Sequence, residues 1–119
     1  IKTVRLLRKS PEVREKYNQR YRYILVDEYQ DTNPLQLSLI RYLTEAQQNI
    51  CVVGDDAQSI YGFRQADIRN ILEFEQHYSE AKVILLEQNY RSTQNILNAA
   101  DAIIANNINQ KKKKLWTEN

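Results

Sequence analysis

The chain has 119 residues, of which 42% are hydrophobic and 27% charged, and its formal net charge is +2. This length and composition predict one soluble globular core, and no apolar run approaches the ~20 residues that a membrane span needs, so we expect a cytoplasmic protein with no membrane partner. The mild positive charge does not by itself indicate a nucleic-acid partner.

The first 22 residues are rich in Arg, Lys, Glu and Tyr and lack the uninterrupted apolar segment of a signal peptide. Ser10 and Pro11 are typical of a helix start, an N-cap followed by proline in the first turn, and predict a polar helix from Pro11 to about Arg20. We interpret the basic side chains here as charged surface rather than a phosphate-binding site. The chain contains no Met, which suggests that it is a piece of a longer protein.

The next segment, residues 23–34, has the sequence YILVDEYQDTNP. Its four apolar residues are enough for a buried strand and too few for a helix, and Asp27 and Glu28 follow at the strand's C-terminal end. Ligands of parallel α/β sheets bind at the carboxyl ends of strands, so this Walker B pattern predicts that Asp27 holds Mg²⁺ and Glu28 polarises an attacking water. Taken alone, the pattern is equally typical of a buried strand that runs into a solvated loop.

Asn33 and Pro34 supply an N-cap and a first-turn proline for a helix that we expect to run to about Gln47. This helix carries one apolar stripe that can pack on the sheet, formed by Leu35, Leu39, Tyr42, Leu43 and Ala46. The polar residues between strand and helix are interpreted first as turn formers, namely Gln30, Asp31 and Thr32.

Residues 50–54 predict a second short buried strand, with Cys51 as an inert core residue that has no partner for an intrachain disulfide. Gly54 allows a tight exit from this strand. If the two strands are parallel, the polar residues that follow lie at the same sheet edge as Asp27 and Glu28, and the two polar clusters converge. From spacing alone, the aromatic residues further on, Tyr61 and Phe63, are more typical of a core.

The second half of the chain continues the alternation of helices and strands. Asp67 can cap a helix that runs to about Tyr78, where His77 is expected to be a surface histidine. Residues 83–86 predict a third buried strand, and a helix follows from about Thr93 to Asn107. Residues 109–119 are predicted to be an extended basic segment, with four consecutive lysines that we interpret as a solvated tail.

Three stretches, in this order and spacing, resemble the UvrD/Rep/PcrA-type DNA helicases of superfamily 1. DEYQDTNPLQ is similar to motif II of that family, VVGDDAQSIYGFR to motif III and LEQNYRS to motif IV. The resemblance covers nearly all of residues 12–119. It implies an α/β fold, namely a fragment of a RecA-like P-loop NTPase with a short parallel sheet flanked by helices.

The resemblance also implies roles for individual residues. Gln58 would sense the γ-phosphate of ATP, Tyr90 would stack on the adenine, and Arg91 would reach the γ-phosphate as an arginine finger, a role that suits its permanent charge. Phe63, with Tyr61 and Arg64 beside it, would form a stacking surface for single-stranded DNA. Some of the polar residues at positions 30–32 would relay between the nucleotide and the DNA.

On this basis residues 1–88 correspond to the later part of a first RecA-like domain, and residues 89–119 to motif IV and the start of a second. The phosphate-binding pattern G-x-x-x-x-G-K-[ST], Walker A, is absent from the chain. We therefore expect the isolated chain to be inactive. Because the family places the Walker A strand beside the motif III strand, we also expect exposed sheet edges and self-association.

One position departs from the family pattern. The family usually has glycine after the motif III arginine, and this chain has Gln65. If the backbone there requires a positive φ, Gln65 costs ~1 kcal/mol or moves the loop that carries Arg64.

The predicted function is an ATP-dependent, 3′ to 5′ DNA helicase or translocase that uses ATP and Mg²⁺ and acts on single-stranded DNA and 3′-tailed duplexes. One alternative is a non-catalytic, helicase-like module that binds DNA or protein. The other is a subunit of a helicase-nuclease of the same superfamily.

Overall fold

A computed structural model describes residues 1–107 and 110–119 of the chain. The described residues fall into two compact units, residues 1–79 and residues 80–119. The first residue of the predicted basic tail, Asn109, lies outside the described residues. None of the described helices is long and apolar enough to cross a membrane.

The first unit begins with a helical hairpin. Helix α1 (Lys2–Lys9), which we did not predict from the sequence, is followed by α2 (Pro11–Arg20), whose bounds confirm the prediction. Ser10 takes the N-cap position of α2, but its side chain makes no capping hydrogen bond. Both helices pack on α3 (Pro34–Thr44), and Leu7 is buried among them.

A parallel pair of short strands forms the sheet. Strand β1 (Ile24–Val26) pairs in register with β2 (Ile50–Val52), so that Ile24 lies opposite Ile50. Helix α3 connects them and begins with a complete capping box: the Asn33 side chain accepts hydrogen bonds from the third helical residue, Gln36, which in turn accepts from the Asn33 N–H. The predicted crossover between parallel strands is confirmed, although α3 ends three residues earlier than expected.

The outer face of this sheet is exposed. Leu25 is 80% exposed, and its register partner Cys51 is exposed as well, so the prediction that Cys51 is a core residue was wrong. The reason is geometric: successive side chains of a strand point to opposite faces, and α3 packs against β1 on the side of Ile24 and Val26.

After β2 the chain makes two single 3₁₀ turns, at Asp56–Gln58 and Gly62–Arg64, before reaching two very short helices. These are α4 (Arg69–Leu72) and α5 (Phe74–His77). They replace the single helix predicted here, because the backbone leaves helical geometry at Glu73. His77 is exposed, as expected, and its Nε2 lies 2.7 Å from Nη2 of Arg41.

In the second unit the predicted strand at residues 83–86 is absent, and its side chains are exposed. A strand is stable only when a neighbour satisfies its backbone groups, and among the described residues only β1 and β2 form a ladder. Nearby, Gln88 and Trp116 form an isolated parallel bridge. Helix α6 (Gln94–Ile104) follows and buries Leu97, and the four lysines lie in an irregular segment.

Candidate nucleotide and DNA site

The two acidic residues of the Walker B pattern lie where the sequence predicted them, directly after β1. Asp27 and Glu28 are both exposed, and a carboxylate oxygen of Asp27 accepts a hydrogen bond from the Glu28 N–H at 2.9 Å. Glu28 adopts the left-handed conformation with φ 50° and ψ 43°. Such a conformation is unfavourable for a residue with a Cβ, and it turns the chain sharply into the 3₁₀ turn at Tyr29–Asp31.

Gln30 links this turn to the segment after β2. Its side chain is only 1% exposed. The amide nitrogen donates to Glu28 Oε2 at 2.7 Å, and the amide oxygen accepts from the Asp55 N–H at 3.1 Å. The main-chain carbonyl of Gln30 also accepts from Ser59 Oγ at 3.3 Å. The predicted convergence of the two polar clusters is therefore confirmed, and Gln30 is the residue that joins them.

Gly54 makes this junction possible. A Cβ at this position would lie 2.6 Å from the amide oxygen of Gln30 and 3.2 Å from the Tyr29 backbone nitrogen. The φ of Gly54 is not positive, so the glycine is required by close approach rather than by an unusual turn. The backbone continues the ladder here, because the Val53 N–H donates to the Val26 carbonyl and the Tyr29 N–H donates to the Val53 carbonyl.

Gln58 lies in the 3₁₀ turn that follows. Its side-chain nitrogen donates to Asp55 Oδ2 at 2.8 Å, while Asp55 Oδ1 accepts from the Ala57 N–H. Because Asp55 N–H is itself bound by Gln30, a continuous series of hydrogen bonds runs from Glu28 through Gln30 and Asp55 to Gln58.

The predicted stacking residues form an exposed cluster. The rings of Tyr61 and Phe63 lie 5.8 Å apart at an angle of 46°, and the Arg64 guanidinium lies over both, 5.2 Å from one centroid and 5.4 Å from the other. Phe63 is 77% exposed, so the alternative that it is a core aromatic was wrong. Gln65 has φ 65°, which confirms that the backbone needs a left-handed residue at this position.

A buried network of polar side chains holds the turn after β1 in place. The Asn70 side chain donates to the Thr32 carbonyl at 2.9 Å and to Thr32 Oγ1 at 3.1 Å, and Thr32 Oγ1 donates to the Tyr29 carbonyl at 2.8 Å. All three residues are buried. We missed Asn70 in the sequence, where the signal was a polar residue among the apolar positions of a predicted helix.

Tyr29 is fully buried in this turn, as Gln30 is, and its ring packs edge-on against Phe74 at a centroid distance of 5.6 Å. Burial raises the pKa of Tyr29 to about 12. At the start of α4, the Arg69 side chain donates hydrogen bonds to Asp67 and holds the pKa of that carboxyl below its usual value.

Tyr90 and Arg91 belong to the second unit. Tyr90 is 78% exposed, and its hydroxyl donates to the Gln88 side chain at 2.7 Å. Asn89 shapes this turn, since its side-chain oxygen accepts from the backbone N–H groups of Arg91 and Ser92. Both site residues are thus presented on the surface by a compact turn.

Comparison with known proteins shows the family to which the chain belongs. Residues 1–79 match the model of the UvrD/REP helicase N-terminal domain, and residues 84–119 match that of the UvrD-like helicase C-terminal domain. The chain belongs to the UvrD/Rep helicase family. The resemblance seen in its three motifs is thereby confirmed.

Relatives within the UvrD/Rep family are close over almost the whole chain. It is 59% identical over 117 residues to the ATP-dependent DNA helicase PcrA of Bacillus subtilis, and 56% identical to the PcrA proteins of Staphylococcus epidermidis and Staphylococcus aureus. In each case the match covers 98% of this chain and 16% of the relative. The chain therefore spans about one-sixth of the length of these UvrD/Rep relatives.

The carboxylates of Asp27 and Glu28 are of the kind that bind Mg²⁺ together with a nucleotide. Mg²⁺ prefers oxygen ligands and is usually held by one or two carboxylates together with substrate phosphates and water. Asp27 and Glu28 present such carboxylates at the strand end, whereas the described residues contain no group of three or more metal-binding side chains. The two carboxylates therefore have the chemistry of a magnesium site that is completed by phosphate and water.

Proposed function

We propose that this chain is part of the motor of an ATP-dependent DNA helicase or translocase of the cytoplasm. Residues 1–88 would contribute the later part of a first RecA-like domain, and residues 89–119 the start of a second. The chain by itself would be inactive, because it contains no phosphate-binding loop of the G-x-x-x-x-G-K-[ST] type.

The observation that carries this proposal is the series of hydrogen bonds from Glu28 to Gln58. It connects an acidic pair and Gln58 at the carboxyl ends of two parallel strands, the edge at which ligands of such sheets bind. The names of the relatives, ATP-dependent DNA helicases, support the same reading.

In the proposed site Asp27 would hold Mg²⁺, directly or through water, and Glu28 would orient and polarise the water that attacks the γ-phosphorus. The ion, when bound, supplies positive charge to the phosphate oxygens. Gln58 would bind the γ-phosphate and so distinguish ATP from ADP. Tyr90 would stack on the adenine, and Arg91 would neutralise charge that develops on the transferred phosphoryl group.

The exposed cluster of Tyr61, Phe63 and Arg64 would hold single-stranded DNA. Aromatic faces stack on any base, and the guanidinium adds attraction for phosphate or for a base plane. By the family resemblance, movement would be 3′ to 5′, and the preferred substrate would be a duplex with a 3′ single-stranded tail.

The test is ATP hydrolysis by the full-length protein that contains these residues, measured with Mg²⁺ in the presence and absence of single-stranded DNA. We expect strong stimulation by DNA, and unwinding of a 3′-tailed duplex but not of a 5′-tailed one. Glu28→Gln should abolish turnover while leaving ATP binding largely intact. Turnover of Glu28→Gln within severalfold of wild type would remove Glu28 from its role, and no hydrolysis by the wild type would favour a non-catalytic binding module.

The isolated 119-residue chain offers a second test. Its two-stranded sheet has an exposed outer face, and residues 83–86 are apolar, exposed and unpaired among the described strands. Exposed edges and apolar segments of this kind promote pairing between chains. We expect concentration-dependent self-association in sedimentation velocity, and a monomer at high concentration would contradict this expectation.

A further inference from the structure

The inference concerns Gln30, the residue between the acidic pair and the segment that carries Gln58. We propose that Gln30 is a positioning residue that fixes the carboxylate of Glu28 and makes its orientation depend on the position of the loop formed by residues 55–59. This proposal rests on the function proposed above, in which Glu28 orients the attacking water.

The amide of Gln30 can be oriented in only one way. The Asp55 N–H is a donor and requires the amide oxygen, while the Glu28 carboxylate accepts and requires the amide NH₂. The Gln30 side chain is buried, so water has little access to its amide, whereas the Glu28 carboxylate that it binds is exposed. The planar amide group of Gln30 therefore sets the distance between the Glu28 carboxylate and the Asp55 N–H of the loop.

This contact also selects which oxygen of Glu28 is available. Oε2 is bound by Gln30, whereas Oε1 accepts no hydrogen bond from any residue in the described ranges 1–107 and 110–119. A carboxylate that uses one oxygen for orientation can present the other to a water molecule, as a general base must. The left-handed backbone conformation of Glu28 contributes as well, because it fixes the direction of the Cα–Cβ bond and so restricts where the carboxylate can lie.

The loop is bound by Gln30 at two places, one on each side of Gln58. The side chain binds the Asp55 N–H, and the main-chain carbonyl accepts from Ser59 Oγ. The stacking residue Phe63 lies four residues beyond Ser59 in the chain. A shift of this loop when a base stacks must therefore move the Gln30 amide or break its bonds, and either change reaches Glu28.

The test compares full-length wild type with Gln30→Met, which keeps the length of the side chain and removes its hydrogen bonds to Glu28, to the Asp55 N–H and, at 3.5 Å, to Asp31. The matched control is Gln19→Met, since the Gln19 amide also donates to a carboxylate, Glu15, at 3.2 Å but on an exposed helix surface. We expect DNA-stimulated kcat to fall by roughly 10- to 100-fold in Gln30→Met, as for other residues that orient a catalytic ligand, with KM for ATP close to wild type. Gln19→Met should behave as wild type.

A second variant separates orientation from folding. Gln30→Glu keeps an oxygen for the Asp55 N–H but places a carboxylate against that of Glu28, so we expect the same loss of kcat with binding of a fluorescent ATP analogue retained. Combining Gln30→Met with Phe63→Ala should reduce DNA stimulation by less than the product of the two single effects, because both act on one loop.

The outcomes are distinct. Wild-type kcat in both Gln30 variants, or a loss confined to KM and thermal stability, would overturn the positioning role while the helicase function stands. Independent, multiplicative effects of Gln30→Met and Phe63→Ala would overturn the dependence on the loop. If the wild type itself hydrolyses no ATP, the proposed function fails and the role of Gln30 fails with it.

Discussion

Replacing Gly54 by alanine tests whether the junction between the two strand ends is as tightly packed as the structure indicates. The added Cβ would lie 2.6 Å from the Gln30 amide oxygen, 2.8 Å from Ile71 Cδ1 and 3.2 Å from the Tyr29 nitrogen. The first two distances are shorter than a Cβ tolerates, so both side chains must move, whereas the Tyr29 backbone is held by its hydrogen bond to the Val53 carbonyl. Gly62 offers a matched control, since a Cβ there would meet no atom within 4 Å.

The expected cost follows from two effects. Overpacking of a well-filled site costs about 1–3 kcal/mol, and the loss of the hydrogen bond from the Asp55 N–H to Gln30 adds about 1 kcal/mol. We therefore expect Gly54→Ala to lower the free energy of unfolding by ~2–4 kcal/mol, which corresponds to a fall in Tm of roughly 8–16 °C for a chain of this size. Gly62→Ala should change it by less than about 0.5 kcal/mol.

The assay is urea unfolding of the chain followed by circular dichroism, in a double-mutant cycle with Gln30→Ala. Removing the Gln30 amide eliminates the shortest contact, so Gly54→Ala should cost about 1 kcal/mol less in that background. Equal stability of Gly54→Ala and Gly62→Ala would refute the packing argument. Strict additivity of Gly54→Ala and Gln30→Ala would show that Gln30 is not the residue for which the glycine makes room.

Three further predictions follow from single positions. Gln65→Gly should stabilise the chain by ~0.5–1 kcal/mol in urea unfolding because it relieves a left-handed backbone, and Gln65→Ala, which keeps a Cβ, should bring no such gain. Phe63→Ala should weaken single-stranded DNA binding by about 1–3 kcal/mol in a fluorescence titration of the full-length protein, and unchanged affinity would exclude stacking at Phe63. Burial raises the pKa of Tyr29 to about 12, so the stability that its neutral phenol confers should be complete below pH 10 and disappear as the pH rises through 12; Tyr29→Phe, compared by unfolding across that range, should lack this part of the decline.

The sequence predicted correctly those helices and turns that are determined by neighbouring residues, such as N-caps and first-turn prolines. Helix α2 begins at Pro11 because proline is favourable in a first turn, and α3 begins with an Asn33 cap that needs only its own first residues. The two paired strands were predicted from short apolar runs, and each run has a partner within the chain. The positive φ at Gln65 was expected from the family pattern of glycine at that position.

The errors fall where structure depends on residues distant in sequence. The run at residues 83–86 has the composition of a strand, but a strand also requires a neighbour, which composition does not reveal. Cys51 was assigned to the core because its neighbours are apolar, yet pleating places it on the exposed face of β2. Gly54 was correctly singled out, but the reason given for it, a tight exit from the strand, was incomplete. The structure shows that a side chain is excluded there because Gln30 lies too close.

The candidate residues came from the strand pattern and the family motifs, whereas the burial of the side chains that support them did not. Asp27 and Glu28 became candidates because two acids directly follow a short apolar run and because this stretch resembles motif II of the family; the run and the acids alone are equally typical of a strand that leads into a solvated loop. Gln30 and Asn70 carry no charge, and their importance lies in burial and in partners 25 and 38 residues away. A glutamine in a turn is ordinarily a solvated residue, so its burial could not be read from the turn itself.

Under the proposal for Gln30, these buried amides make the site both specific and responsive. Among the described residues, the buried side chains include six polar ones and four hydrophobic ones, and three of the polar ones, Gln30, Thr32 and Asn70, form the turn after β1 and its support. Apolar packing would hold the strand ends in place without regard to what binds there. Hydrogen bonds with one allowed geometry instead fix a single arrangement, and they are lost together when one partner moves. The loop after β2 is held by such bonds at both ends of its Gln58 turn, so a ligand that displaces it must also change the environment of Glu28.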